Sequence, residues 1–120
     1  MKIEIHELNG IRMAEVVSED ILIKNPEDGL QLLVDLYYQD IDKIIVYEKN
    51  ITPDFFDLKT GMLGEILQKF SNYRVRLVIV GDFTNYTGKS FRDFVYESNN
   101  HQQVNFVSEI SEAIERLSRK

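Results

Sequence analysis

The sequence predicts a single α/β domain over residues 1–120, with a mostly parallel sheet, an N-terminal antiparallel hairpin and about four helices. Three short, mainly apolar runs, Lys43–Tyr47, Val75–Val80 and Gln103–Val107, are typical of strands buried on both faces. Segments with helical periodicity alternate with these runs, which indicates crossovers between parallel strands. Before the first run, hydrophobic residues alternate with polar ones, which favours an antiparallel pair.

The hairpin is predicted over residues 2–17. Ile3 and Ile5 alternate with polar neighbours, and Asn9-Gly10 suits the left-handed backbone conformations of a two-residue turn. Ile11 and Met13 then lie on the return strand. Further along the chain, Ile21–Ile23 indicates a short strand fragment.

The first helix is predicted to begin at Asn25-Pro26, because Asn is a good cap and Pro fits the first helical position. The second follows Asp57–Gly61 and ends near Ser71–Tyr73. Its apolar residues recur at helical spacing and are Met62, Leu63, Ile66, Leu67 and Phe70.

Serines are predicted to cap the two remaining helices. Ser90 precedes Phe91 and the other apolar residues of the third helix, with Asp93 in position for a capping box. Ser108 precedes the fourth helix, whose apolar residues are Ile110, Ala113, Ile114 and Leu117.

The composition excludes several classes of function. The chain has no cysteine, so thiolate metal sites and cysteine nucleophiles are absent. Its net charge of −6 argues against general binding to nucleic acid or to an anionic membrane. With no targeting segment or membrane span visible, we expect a soluble protein.

The charge is unevenly distributed along the chain. Residues 1–60 contain 6 Lys/Arg against 13 Asp/Glu, whereas residues 61–120 contain 8 against 7. The second half therefore allows a local basic patch that includes Lys89 and Arg92, which could receive a phosphate or an acidic partner.

Ligands of open α/β sheets gather beyond the carboxyl ends of the strands, which here means Glu48–Asp54, Gly81–Gly88 and Ser108. Gly88-Lys89-Ser90 resembles the end of a phosphate-binding P-loop, but the position that needs the first glycine is Phe83. A weaker anion site at the N-terminus of this helix, using Lys89 and Arg92, stays open as an alternative.

Asp57–Gly61 is the second candidate segment, because it leads from a buried strand into a helix. Thr60 could carry a regulatory phosphate at the positive end of that helix, or could simply cap it. Asp57, Lys59 and Gly61 would belong to the same surface.

Catalysis and metal binding receive little support from the sequence. The histidines, His6 and His101, have no partner at helical spacing, and no Gly-x-Ser-x-Gly elbow occurs. We therefore predict no catalytic residues, no metal site and no cofactor. The pairs Tyr37-Tyr38 and Phe55-Phe56 are interpreted as core or rim residues, although neighbouring exposed aromatics would indicate a protein interface.

The order of elements resembles the STAS domain of anti-sigma-factor antagonists. In that family, an Asp-Ser-Ser-Gly stretch begins the helix after a central strand, and the serine before the glycine is phosphorylated. Thr60-Gly61 matches its last two positions, whereas Leu58 and Lys59 occupy the first two. The resemblance implies a regulatory fold with Thr60 as the phosphorylation candidate.

The whole chain also resembles the bacterial family called domain of unknown function 4180. This resemblance implies a bacterial cytoplasmic protein with a STAS-like fold and implies no reaction. The segments that carry it are Phe55–Gly61, Glu65–Arg74, Ile79–Phe83 and Arg92–Asn99.

Two hypotheses follow for function. The first is a non-enzymatic regulatory or protein-interaction module that uses Asp57–Gly61 and Gly81–Arg92 and exposes an apolar patch near Met62, with a homodimer as one arrangement. The second is a small-molecule or phosphate-binding domain with a concave pocket, for which an enzymatic role stays open. Its binding residues would be Asp82, Lys89, Ser90 and Arg92.

Overall fold

A five-stranded mixed sheet forms the centre of the computed structural model, which describes residues 1–119. The strands, which lie in the sheet in chain order, are β1 (Lys2–Leu8), β2 (Ile11–Val17), β3 (Lys43–Tyr47), β4 (Arg76–Val80) and β5 (Val104–Val107). β1 and β2 are antiparallel, and β2 to β5 are parallel. The predicted single α/β domain with an N-terminal hairpin is confirmed.

The hairpin turn is the predicted Asn9-Gly10. Both residues have positive φ angles, of 57° and 78°, which match the right-handed twist of the two strands. The fragment at Ile21–Ile23 pairs through one residue only, since Ile23 forms an isolated parallel bridge with Ile51.

The four helices are α1 (Pro26–Tyr37), α2 (Met62–Tyr73), α3 (Lys89–Asn99) and α4 (Ile110–Leu117). Three 3-10 turns, Glu48–Asn50, Pro53–Phe56 and Leu58–Thr60, connect β3 to α2. Among the described residues, no helix has both the length and the apolar character needed to cross a membrane.

The predicted cap of α1 is confirmed, whereas those of α3 and α4 are wrong. Asn25 Oδ1 accepts a hydrogen bond from the Asp28 N–H at 2.9 Å. Ser90 is the second residue of α3, after Gly88 at the cap position, and Glu109 rather than Ser108 occupies that position in α4. Asp93 forms a salt bridge with Lys89 (2.7 Å) rather than a capping box.

The two faces of the sheet have different covers. On one face, α1, α2 and α3 pack against a large core that includes Leu33, Phe70 and Phe106. On the other face, α4 packs through Ala113 and Leu117 in a smaller core. The parallel strands are added to the sheet in one direction, and right-handed crossovers in one direction put all their helices on the same face. The chain after β5 makes no further crossover, and its helix packs on the opposite face.

Candidate functional site at the carboxyl edge of the sheet

A crevice opens between the carboxyl ends of β4 and β5. After β4 the chain crosses to α3 on the larger core, and after β5 it crosses to α4 on the smaller core. When the connections that follow two adjacent parallel strands run to opposite faces of the sheet, a crevice forms between the ends of those strands. Ligands of α/β sheets commonly bind in this crevice. The strand ends at which the sequence predicts ligand sites therefore border a concave surface, and ligand binding there stays a prediction.

This β4–β5 crevice has a volume of about 840 Å³. Three acidic residues and one basic residue contribute to its lining, together with Tyr47, Thr84 and Ser108. These charged residues are Asp82, Glu109, Glu112 and Arg92. Negative charge therefore predominates among the ionisable groups of the crevice.

Asp82 is held in place at the start of the loop after β4. Its Oδ1 atom accepts hydrogen bonds from the Thr84 hydroxyl at 2.6 Å and the Thr84 N–H at 3.0 Å. These bonds lower the pKa of Asp82 below its usual value, because they stabilise the charged form. Asp82 is exposed, so its carboxylate is accessible from solvent.

Glu48 connects β3 to the same loop. Its Oε1 accepts the Asp82 N–H at 3.2 Å, and its Oε2 accepts the Tyr86 hydroxyl at 2.7 Å. Burial, followed by the hydrogen bond to Glu48, raises the pKa of Tyr86 to about 12. Tyr86 therefore stays a neutral donor that fixes the loop above the sheet.

A second concave surface lies on the α3 side of the loop, with a volume of about 670 Å³. We call it the lysine groove, and its lining residues are Phe56, Asp57, Leu58, Lys59, Tyr86, Gly88, Lys89, Ser90 and Phe91. Phe56 and Tyr86 stack with ring centroids 4.9 Å apart. The groove thus combines an aromatic surface with two lysines.

The first turn of α3 borders the lysine groove through residues 88–91. Gly88 has no side chain with which to cap the helix, and Ser90 lies too late to do so. The N–H groups of a first helical turn have no partner within the helix and attract anions. The lysine groove is therefore the more suitable of the two cavities for an anion.

The structure divides the sequence-predicted site residues between the two cavities. Asp57, Lys59, Lys89 and Ser90 line the lysine groove, so the segments around residues 57–61 and 81–92 do meet. Asp82 and Arg92 line the β4–β5 crevice instead. Lys89 and Arg92, predicted to share one anion site, line different cavities, although they are neighbours on α3.

Thr60 and Gly61 form the junction between the last 3-10 turn and α2. Gly61 has a φ of 75° at the cap position of α2. The Thr60 hydroxyl lies near the Asp54 carbonyl (2.8 Å) and the Asp57 carbonyl (2.9 Å), and accepts the Met62 N–H at 3.2 Å. Thr60 is thus engaged in capping, and its phosphorylation stays a prediction.

The predicted apolar patch at Met62 is absent, because Met62 is only 6% exposed. The aromatic pairs also differ from each other. Phe55 and Phe56 are buried as expected, whereas Tyr38 is 78% exposed and Tyr37 is exposed beside it. Both Tyr residues lie at the C-terminal end of α1, where the Tyr37 ring contacts Tyr73 of α2.

Sequence reasoning missed a polar cluster on the α4 face of the sheet. The His6 Nε2 atom lies 2.7 Å from Glu15 Oε1, and the Tyr47 hydroxyl donates to Glu15 Oε2 at 2.5 Å. Burial, followed by the bond to Glu15, raises the pKa of Tyr47 to about 12. Side chains alternate between the two faces along a strand, so His6 and Glu4 share a face of β1. The pairing of β1 with β2 is needed to show that Glu15 lies beside them.

Comparison with known proteins gives one match. A family model described as domain of unknown function (DUF4180) matches residues 8–117. Neither a curated protein nor a solved structure matches the chain.

Proposed function

The chain belongs to the DUF4180 family, whose description names no activity, and we therefore propose a function from its geometry: it binds an anionic small molecule in the lysine groove. The ligand carries a phosphate or carboxylate group attached to an apolar part. One observation carries the proposal, namely that the uncapped first turn of α3, two lysines and an aromatic surface line a single cavity.

Each part of the ligand has a matching part of the groove. The anionic group accepts hydrogen bonds from the N–H groups at the start of α3 and from the ammonium groups of Lys59 and Lys89. The apolar part packs against Tyr86 and Leu58, the partly exposed apolar side chains of the groove lining. Such a mixture of apolar lining and a few polar groups is common in small-molecule sites.

Phenyl phosphate is a suitable probe because it combines both parts. Isothermal titration calorimetry should show tighter binding of phenyl phosphate than of inorganic phosphate or benzyl alcohol. Lys59→Ala and Lys89→Ala should each weaken phenyl phosphate binding about tenfold, which is the loss of one charge-assisted hydrogen bond.

Lys24→Ala is the matched control, because Lys24 is exposed and does not line the groove. It should leave the affinity for phenyl phosphate unchanged. Equal affinities in the wild type and both groove variants would contradict the proposal, as would inorganic phosphate binding as tightly as phenyl phosphate.

A second candidate function, the regulatory or protein-interaction module, is favoured by an exposed aromatic surface far from Met62. Tyr37, Tyr38 and Tyr73 form this tyrosine patch, with ring centroids 5.9 Å apart for Tyr37–Tyr38 and 5.3 Å for Tyr37–Tyr73. Tyrosine is enriched in protein interfaces. The resemblance to STAS domains supports the same function, and we propose a second copy of the chain as the partner.

Sedimentation velocity at increasing protein concentration tests this candidate. We expect reversible self-association, which Tyr38→Ser weakens because it removes the most exposed ring of the tyrosine patch. Tyr96→Ser is the control, since Tyr96 is similarly exposed on α3. A wild-type protein that stays monomeric, or a Tyr38→Ser variant that associates equally well, would exclude the tyrosine patch as the dimer surface.

A further inference from the structure

The α4 face of the sheet carries a cluster of metal-ligating side chains at its β1–β2 edge, outside both cavities. Glu4 and His6 lie two residues apart on β1 and therefore point to the same face. The register pairs Glu4 directly with Glu15 on β2, which brings the third side chain to that face. One ligand atom from each residue lies within 4.8 Å of the other two.

The direct pairing of Glu4 with Glu15 is an unfavourable arrangement in the absence of a cation. Like charges directly opposite each other across an antiparallel pair destabilise the sheet. Glu15 is moreover only 8% exposed, so solvent screens its charge poorly. A bound cation would neutralise both carboxylates.

The basic side chains beside the cluster, Lys2 and His6, only partly neutralise the charges of Glu4 and Glu15. The Lys2 ammonium lies 3.1 Å from Glu4 Oε1, but the Lys2 side chain is exposed and that of Glu4 partly exposed, so the pair contributes little. His6 contacts Glu15 and carries a charge only when it is protonated. Neutral His6 offers Nε2 as a ligand instead of a charge.

Tyr47 provides the outer support that metal sites commonly have. Its hydroxyl donates to Glu15 Oε2, whereas Glu15 Oε1 lies 2.7 Å from His6 Nε2, so a metal ion bound by these two atoms would replace their direct contact. Hydrogen bonds of this kind orient a ligating carboxylate. Tyr47 also lines the β4–β5 crevice, so the cluster adjoins that cavity through one side chain.

The donor set indicates the class of ion. One imidazole nitrogen and two carboxylate oxygens are typical ligands of Zn²⁺ and related first-row ions, whereas Ca²⁺ and Mg²⁺ prefer oxygen alone. In a tetrahedral zinc site, ligand atoms are roughly 3.3 Å apart. To reach this spacing, His6 Nε2 and Glu15 Oε1 would have to separate by about 0.6 Å from their 2.7 Å contact, and the partly exposed Glu4 side chain would turn toward them.

We propose that Glu4, His6 and Glu15 form a binding site for one Zn²⁺-type divalent ion, with water completing the coordination. The site is independent of the lysine groove, and its existence does not depend on the proposed function. Its three ligands come from two strands and are brought together by the register of β1 with β2. No sequence motif therefore marks the site.

Zinc titration of chelator-treated, tag-free protein by calorimetry tests the proposal. We expect one Zn²⁺ ion per chain and visible absorption bands when Co²⁺ is substituted. Glu4→Gln and His6→Gln should weaken Zn²⁺ binding at least tenfold, and Tyr47→Phe about tenfold through the orientation of Glu15. Glu4 is exposed enough for Glu4→Gln to fold normally, which circular dichroism can verify.

His101→Gln is the matched control, because it removes the other histidine of the chain and should not change the affinity. The proposal is overturned if wild-type protein takes up no Zn²⁺ at millimolar concentration. It is also overturned if Glu4→Gln and His6→Gln bind Zn²⁺ as tightly as wild type, or if His101→Gln abolishes binding.

Discussion

Single residues at the helix ends have unequal importance for stability. The Asn25 side chain binds the Asp28 N–H, and Pro26 occupies the first position of α1. Ser90 resembles a cap in the sequence but lies inside α3, where its hydroxyl cannot take that role. The effect of a substitution therefore depends on the position of the residue relative to the first turn.

Asn25→Ala should lower the free energy of unfolding by about 1 kcal/mol, because the Asp28 N–H loses its acceptor. Ser90→Ala should change it by less than about 0.5 kcal/mol, as is usual for exposed positions without a specific contact. Urea denaturation of both variants measures the difference. If Ser90→Ala were as destabilising as Asn25→Ala, Ser90 would have to be capping α3.

At the scale of elements, the loop after β4 is fixed by its close approach to the first 3-10 turn. A Cβ atom on Gly81 would lie 2.5 Å from the Glu48 Cβ and 2.7 Å from its Oε1. The Cβ atom of Glu48 is tied to the backbone and has little freedom to move. The glycine therefore allows β4 to end beside Glu48 and the Glu48–Tyr86 bond to form.

Gly81→Ala should lower the free energy of unfolding by about 1–3 kcal/mol, the usual cost of overpacking. Gly64→Ala is the matched comparison, because a Cβ there meets no atom within 4 Å on the exposed side of α2. It should raise the free energy of unfolding by about 0.5–1 kcal/mol through helix propensity. Thermal unfolding of the pair measures both signs, and destabilisation by Gly64→Ala would contradict this explanation.

For the whole molecule, two tyrosines predict how stability depends on pH. The pKa values of Tyr47 and Tyr86 are raised from 10.0 to about 12 in the folded protein. Between pH 10 and 12 the unfolded chain loses these protons first, so the unfolded state binds fewer protons and the free energy of unfolding falls as pH rises. Below pH 10 the contribution of both tyrosines is fully present.

Chemical denaturation from pH 9 to pH 12 should therefore show a decline that is shallower in the Tyr47→Phe, Tyr86→Phe double variant. Other groups that titrate in this range contribute equally to both proteins, so the difference between them isolates the two tyrosines. Identical slopes would mean that neither hydroxyl keeps its proton more strongly in the folded state.

The fold itself was largely predictable from the sequence. Periodicity identified the hairpin, the buried strands and the four helices, because burial of one face or both leaves a repeating local pattern. The short runs at Lys43–Tyr47 and Val75–Val80 form β3 and β4, whose residues are mostly buried, as expected for strands covered on both faces. The capping residues were less predictable, since any Ser that precedes a run of apolar residues at helical spacing fits the pattern. Whether that Ser is the cap depends on the residue at which the helix begins, which the pattern does not give.

The sequence by itself determined the order of the elements, the edge of the sheet at which ligands are expected and the segments that meet in the lysine groove. The tertiary structure decided that Lys89 and Arg92 line different cavities, that Tyr38 is exposed and that Glu15 joins Glu4 and His6. The physical reason is that periodicity reports how each element buries its own face. Neighbours across strands and around helices depend instead on register and packing, which are properties of the assembled chain.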